Sequence, residues 1–171
     1  MALTNVEIAK EPLLRNMIAD YLDVSADGTG TYALMGAGFK KVDEKPNAQE
    51  YEAFYINQAS ASSYVKGYKP EFEYDCDMML GDAAATALYE VGRNHYTGAK
   101  AMFNYVRVDL YDDENKDSTK GYPARKFIVT CIPESTEGAG GEYIASTGKL
   151  KAVGDFVEGY FNTSTNAFTE K

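Results

Sequence analysis

Tryptophan is absent from this chain, histidine occurs once and cysteine twice, and each scarcity closes off a class of protein. His95 is the sole imidazole, so a histidine-based zinc site or a nucleophile relay has no second histidine to draw on. Its position at the end of a helical segment suits a polar side chain beside the negative pole of the helix dipole. Cys76 and Cys131 are too few for a secreted disulfide scaffold, and both fall on apolar faces of strand-like runs, where free cysteine is ordinarily buried and reduced. No apolar run approaches the roughly 18 residues that span a bilayer. The start, MALTNVEIAKEPLL, lacks the basic opening and apolar core of a secretory signal, so a soluble chain that matures where it is made is expected, with no membrane partner. Basic charge is also short: 17 basic against 26 acidic residues leave a net charge of −9, which disfavours holding duplex DNA with its charge every roughly 1.7 Å. The glycines of MGAGF and EGAGGE lack the strand-to-helix setting of a phosphate-binding loop. With no acid, base and nucleophile arrangement, neither an enzyme nor a cofactor or metal is expected.

What is abundant is tyrosine, 14 residues, and glycine, 15, punctuating short alternating runs, which is the texture of an all-β chain. At 171 residues one domain with a real core is expected. Strands are expected over 31–39, 50–57, 68–79, 101–111, 124–132, 142–146 and 149–160. Val106, Val108 and Leu110 alternate with Arg107, Asp109 and Tyr111, and Phe127, Val129 and Cys131 with Lys126, Ile128 and Thr130, and the two runs are expected to pair as a hairpin. DDENKDSTKGYP between them reads as a protruding loop, and KKVDEKPNAQ ahead of the second strand has the same polar character. One helix is expected near 83–95, capped by Asp82, with Ala84, Leu88, Val91 and His95 on one stripe. LLRNMIADYLDV fits a helical face, although YLDV suits a strand equally well.

The stretch EFEYDCDMM carries the most specific pattern. Extended, it sets Phe72, Tyr74, Cys76 and Met78 on one face and Glu71, Glu73, Asp75 and Asp77 on the other. Carboxylates two residues apart on a strand are about 6.6 Å from each other, inside the Debye length of about 8 Å, and repel. Calcium fits poorly, because a line of ligands does not converge. The row keeps an exposed face soluble and blunts edge pairing, or the repulsion itself is used.

The succession YALMGAGF, the KPNAQ loop, YINQASASSYVKGYKPEFEYDCDMM, ALYEVGRNHYTGA, YVRVDLY, YPARKFIVTCIPES, EGAGGE and LKAVGDFVEGYFN resembles the tail tube (major tail) proteins of long-tailed bacteriophages that infect Gram-positive bacteria. The likeness runs from about Leu14 to Phe161 and rests on the joint order of structural segments. The resemblance implies an all-β fold with one flanking α-helix, a β-sandwich or small barrel whose sheets join between subunits into a ring. It also implies an N-terminal arm over 1–24, the sandwich over 25–161 and a flexible tail over 162–171. Hexameric rings would stack into a hollow tube around a tape measure protein, meet terminator and distal tail proteins at the ends, and pass DNA without binding it. The place would be the virion tail, after assembly in the host cytoplasm. On this sequence the bridging elements would be the termini and two loops: Lys40, Lys41, Asp43, Glu44 and Lys45 in the first, Asp112, Asp113, Glu114, Lys116, Asp117 and Lys120 in the second. Glu71, Glu73, Asp75 and Asp77 would point into the lumen and repel DNA, their own repulsion eased by Arg107 or Lys126. Two other readings are the tube of a contractile injection device or bacteriocin, and a monomeric immunoglobulin-like binding module with a tyrosine-rich contact surface.

Overall fold

A computed structural model describes residues 11–171 of the chain. The alternating runs become eleven strands among the described residues: β1 Ile18–Asp23, β2 Tyr32–Leu34, β3 Phe39–Lys45, β4 Ala48–Ala53, β5 Ser62–Tyr68, β6 Glu71–Asp77, β7 Met102–Asp109, β8 Tyr122–Glu137, β9 Ala145–Ala152, β10 Val157–Asn162 and β11 Ala167–Glu170. Helix α1, Ala83–Arg93, lies between β6 and β7. One sheet runs β2-β1-β7-β8-β9-β6-β3, with β10 added to β8 and β11 to β10, while β4 and β5 form a separate hairpin. All neighbours are antiparallel.

The sheet rolls because β8 is long and irregular. Residues 124–130 pair with β7, residues 129–137 pair with β9, and the register shifts between Pro133 and Ser135. Such a bulge increases local twist and bends the strand. The concave side encloses Leu22, Phe72, Tyr74, Tyr105, Phe127, Val129, Cys131 and Leu150. The Phe72 ring lies 4.4 Å from that of Tyr105 and 4.9 Å from that of Phe127. Ala84, Leu88 and Val91 of α1 join this core. Each large apolar side chain removed from water contributes about 1.5–3 kcal/mol before entropy is subtracted. A second cluster of Tyr21, Val106, Val108, Ala124 and Phe161 occupies the other side of β1, β7 and β8, with the Tyr21 and Phe161 rings 4.3 Å apart. That second cluster makes Tyr105 to Val108 buried without alternation, as expected of a strand covered on both faces.

The expected cap is present: the Asp82 carboxylate accepts a hydrogen bond from the Ala85 N–H at 2.9 Å. The helix stops at Arg93, and His95, in a left-handed conformation at φ +52°, is exposed beyond the stripe. The β7–β8 hairpin forms as expected. Both cysteines are free and buried, and burial pushes their thiols up, to about 12 at Cys76 and about 11 at Cys131.

Several boundaries differ. Of the expected arm over 1–24, residues 1–10 lie outside the described residues, and Ile18–Asp23 is a strand flanked by β2 and β7 with Leu22 fully buried. The apolar set Ile18, Tyr21 and Leu22 reads as a helical face only because β1 is covered on both sides. The expected flexible tail over 162–171 instead turns back as β11 on β10, its Phe168 packed on the second cluster. The loop expected over 40–49 is mostly strand: Lys40, Lys41, Asp43, Glu44 and Lys45 belong to β3, and only Pro46 and Asn47 turn the chain into β4. Its charges looked like solvent-facing loop because their partners lie on another strand.

Candidate functional site

The row on β6 is real, and its surroundings differ from those expected. Phe72, Tyr74 and Cys76 are buried, and the four carboxylates share the opposite, half-exposed face. β6 is an interior strand, between β3 and β9, so the row blunts no edge. Glu71 stands between Lys45 and Lys151, Glu73 between Asp43 and Lys149, and Asp75 between Lys41 and Thr147. A bulge between Phe39 and Lys41 brings Lys40 onto the same face, 3.0 Å from Asp77 and 3.5 Å from Asp75. Lys41 Nζ lies 3.0 Å from Glu73 and 3.4 Å from Asp43, and Lys45 also pairs with Glu73. The hydrogen bonds from Lys45 and Lys41 pull the Glu73 carboxyl down to about 2. Five carboxylates, Asp43, Glu71, Glu73, Asp75 and Asp77, thus meet five lysines, Lys40, Lys41, Lys45, Lys149 and Lys151, across the outer face of β3, β6 and β9. Glu134 of β8, 3.4 Å from Lys149, and Glu137, opposite Ala145, extend the face and tip it to the acidic side.

Relief of the row therefore comes from neighbouring lysines, and neither Arg107 nor Lys126 supplies it. Arg107 points into the fold, where its guanidinium lies 3.4 Å from Asp20 and 3.5 Å from Glu44 and stands over the Phe72 ring. Asp20, buried, also accepts from the Tyr105 hydroxyl and from Arg15. Glu44 accepts two bonds from Arg125, at 2.8 and 2.9 Å. Burial alone would raise the Glu44 carboxyl, but the hydrogen bond and charge of Arg125, with Arg107 behind it, win and leave it lowered. Glu44, expected in an exposed loop, instead ties β3 to β7 and β8 across the roll. Lys126 sits over the Phe168 ring.

The second expected loop, 112–122, falls on the connection 110–121 between β7 and β8, which is largely exposed and internally braced. Asp117 accepts from the N–H groups of Thr119 and Lys120, both at 2.8 Å, and Asp112 from that of Asn115 at 3.2 Å. Those bonds hold the Asp117 carboxyl down at about 2. Asp113 and Glu114 are exposed, Lys116 lies over Tyr122, and Lys120 approaches Tyr160. No group of three or more metal-ligating side chains converges among the described residues. No helix among them is long and apolar enough to cross a membrane.

The feature missed in the sequence is the β4–β5 hairpin. It leaves the fold at a neck where Lys69 N–H donates to the Asn47 carbonyl and the Asn47 amide donates to the Lys69 carbonyl. Beyond that neck Tyr51, Phe54, Tyr55, Tyr64, Val65 and Tyr68 are exposed, Phe54 at 74%, and Ile56 at the tip is wholly in solvent. Neither face of the hairpin meets the core clusters. The signal was available in EYEAFYIN, where apolar residues occupy both parities, so one buried face cannot absorb them.

No protein-family model matches the chain, and no curated protein sequence does. Solved structures share its fold. The SPP1 tail tube, determined by solid-state NMR and cryo-EM, superposes with a TM-score of 0.66 at 15% identity, over 90% of this chain and 83% of that one. The tail of an empty GTA particle, refined with C6 symmetry, superposes with a TM-score of 0.58 at 10% identity, over 92% of this chain and 99% of that one. The all-β architecture with one helix is thus that of tail tube proteins.

Proposed function

We propose that this chain is a building block of a hollow tail tube of a long-tailed bacteriophage with a Gram-positive host, a structural protein with no catalytic role. The observation that carries the reading is the β4–β5 hairpin: an arm rich in exposed aromatic and aliphatic side chains, held at a hydrogen-bonded neck, that the other described residues leave uncovered. Contiguous apolar surface of this kind marks an interaction site, and a fold shared with tail tubes supplies the natural partner, another copy. In this reading six copies close a ring, rings stack, the hairpin and the 110–121 loop bridge neighbours, and the outer face of β3, β6, β9 and the end of β8 lines the bore. A tape measure protein occupies that bore during assembly in the host cytoplasm, terminator and distal proteins close the ends, and DNA later passes through. The mild acidic excess of the lining opposes phosphate. Negative-stain microscopy of the concentrated chain tests the assembly, with hollow tubes of regular axial repeat expected. Cryo-EM of those tubes tests the lining: Glu71, Glu73, Asp75 and Asp77 belong at the bore, and finding them at a seam or on the outer surface overturns that placement.

A further inference from the structure

A wall that passes DNA raises a difficulty on this face, because five lysines stand on it. Free lysines in a row grip phosphates, and each neutralised phosphate adds about 0.9 to the salt slope of binding. The geometry resolves the difficulty by engaging four of them in ion pairs and setting the fifth, Lys151, opposite Glu71 in the strand register. Lys40 is shared by Asp75 and Asp77, Lys149 reaches Glu134, and Lys41 and Lys45 converge on one carboxylate, Glu73. Glu73 also stands directly opposite Lys149. It is central on the interior strand and the only member of the row that pairs with two lysines among the described residues.

We infer that this face is a charge-interleaved, non-retentive surface for a polyanion, and that Glu73 sets the property by keeping Lys41 and Lys45 engaged. The inference rests on the tube reading for its biological setting, while its physical content belongs to the single chain. Repulsion by net negative charge is then secondary: the face passes phosphates because four of its five cations are already satisfied at contact distance and the fifth, Lys151, stands opposite Glu71. The Glu73 carboxyl, held at about 2 by the hydrogen bonds from Lys45 and Lys41, stays ionised at neutral pH.

Chromatography of the full-length, unassembled chain on duplex-DNA cellulose tests this. Wild type runs through at about 50 mM salt. Glu73→Lys, which frees Lys41 and Lys45 and adds a third cation, is retained there and released by about 200 mM, the range over which phosphate contacts are lost. Glu73→Gln, which keeps side-chain shape, is retarded less. The double variant K45Q/E73Q restores the balance and runs with wild type, and Glu90→Lys, the same change in net charge placed on α1, does too. The inference is overturned if wild type is itself retained, if Glu73→Lys and Glu73→Gln both elute with wild type, or if Glu90→Lys is retained equally. Microscopy of assembly is read separately, so tubes without retention by Glu73→Lys defeat the inference alone, and retention without tubes defeats the tube reading alone.

Discussion

Strand β6 and the β4–β5 hairpin lie next to each other in the chain and are both rich in aromatic residues, yet they meet opposite fates. On β6 the apolar residues share one parity, so a single face enters the rolled core and Phe72 and Tyr74 are fully buried. On the hairpin they occupy both parities and are left in solvent. The core closes within one chain, while in the proposed tube the hairpin is completed by another copy. Substitutions in the first should change folding and leave the assembled contacts untouched at equal folded concentration; substitutions in the second should do the reverse.

The largest stability loss is expected from Phe72→Ala, about 3–5 kcal/mol, because its ring packs on both Tyr105 and Phe127 and leaves a cavity that the roll cannot close. Denaturant melts of the unassembled chain measure it. Glu44→Ala should follow at about 3 kcal/mol, since it leaves Arg125 without its paired carboxylate and Arg107 with Asp20 alone. The same pair makes stability depend on acid. The folded-state pKa of Glu44 is lowered, so its contribution is complete above the ordinary value of 4.5 and is lost as pH falls through the lower folded value. Melts between pH 6 and pH 3 should therefore lose less stability in Glu44→Gln than in wild type. Asp82→Ala should cost about 1 kcal/mol by removing the cap on Ala85. Ile56→Asp at the hairpin tip should shift the melt by no more than about 0.5 kcal/mol, as an exposed position does, while abolishing assembly. A hairpin variant that destabilises the single chain as Phe72→Ala does would erase the contrast between the two regions.

Much of the architecture was legible from period and punctuation. The β7–β8 pairing, the Asp82 cap and the two faces of β6 are local patterns, and a local pattern survives into the fold. What was illegible depends on distant partners. Lys40 to Lys45 look like loop until β6 supplies carboxylates in register, and Arg107 looks like a surface residue on an alternating strand until Asp20, Glu44 and the Phe72 ring enclose its guanidinium. The tail looked mobile because its one strong anchor, Phe168, acts only once β10 has placed Phe161 against Tyr21. The hairpin differs again: its signal, apolar residues at both parities of EYEAFYIN, says only that one buried face cannot absorb them, and among the described residues they meet neither core cluster.

The most direct test compares wild type with Ile56→Asp by sedimentation and negative-stain microscopy at rising concentration, after both are shown to melt alike. Hollow tubes from wild type and folded, unassembled chains from the variant are the expected pair of results. A wild-type chain that stays monomeric at every concentration, or a variant that polymerises as wild type does, would contradict the claim that the hairpin joins copies into a tube.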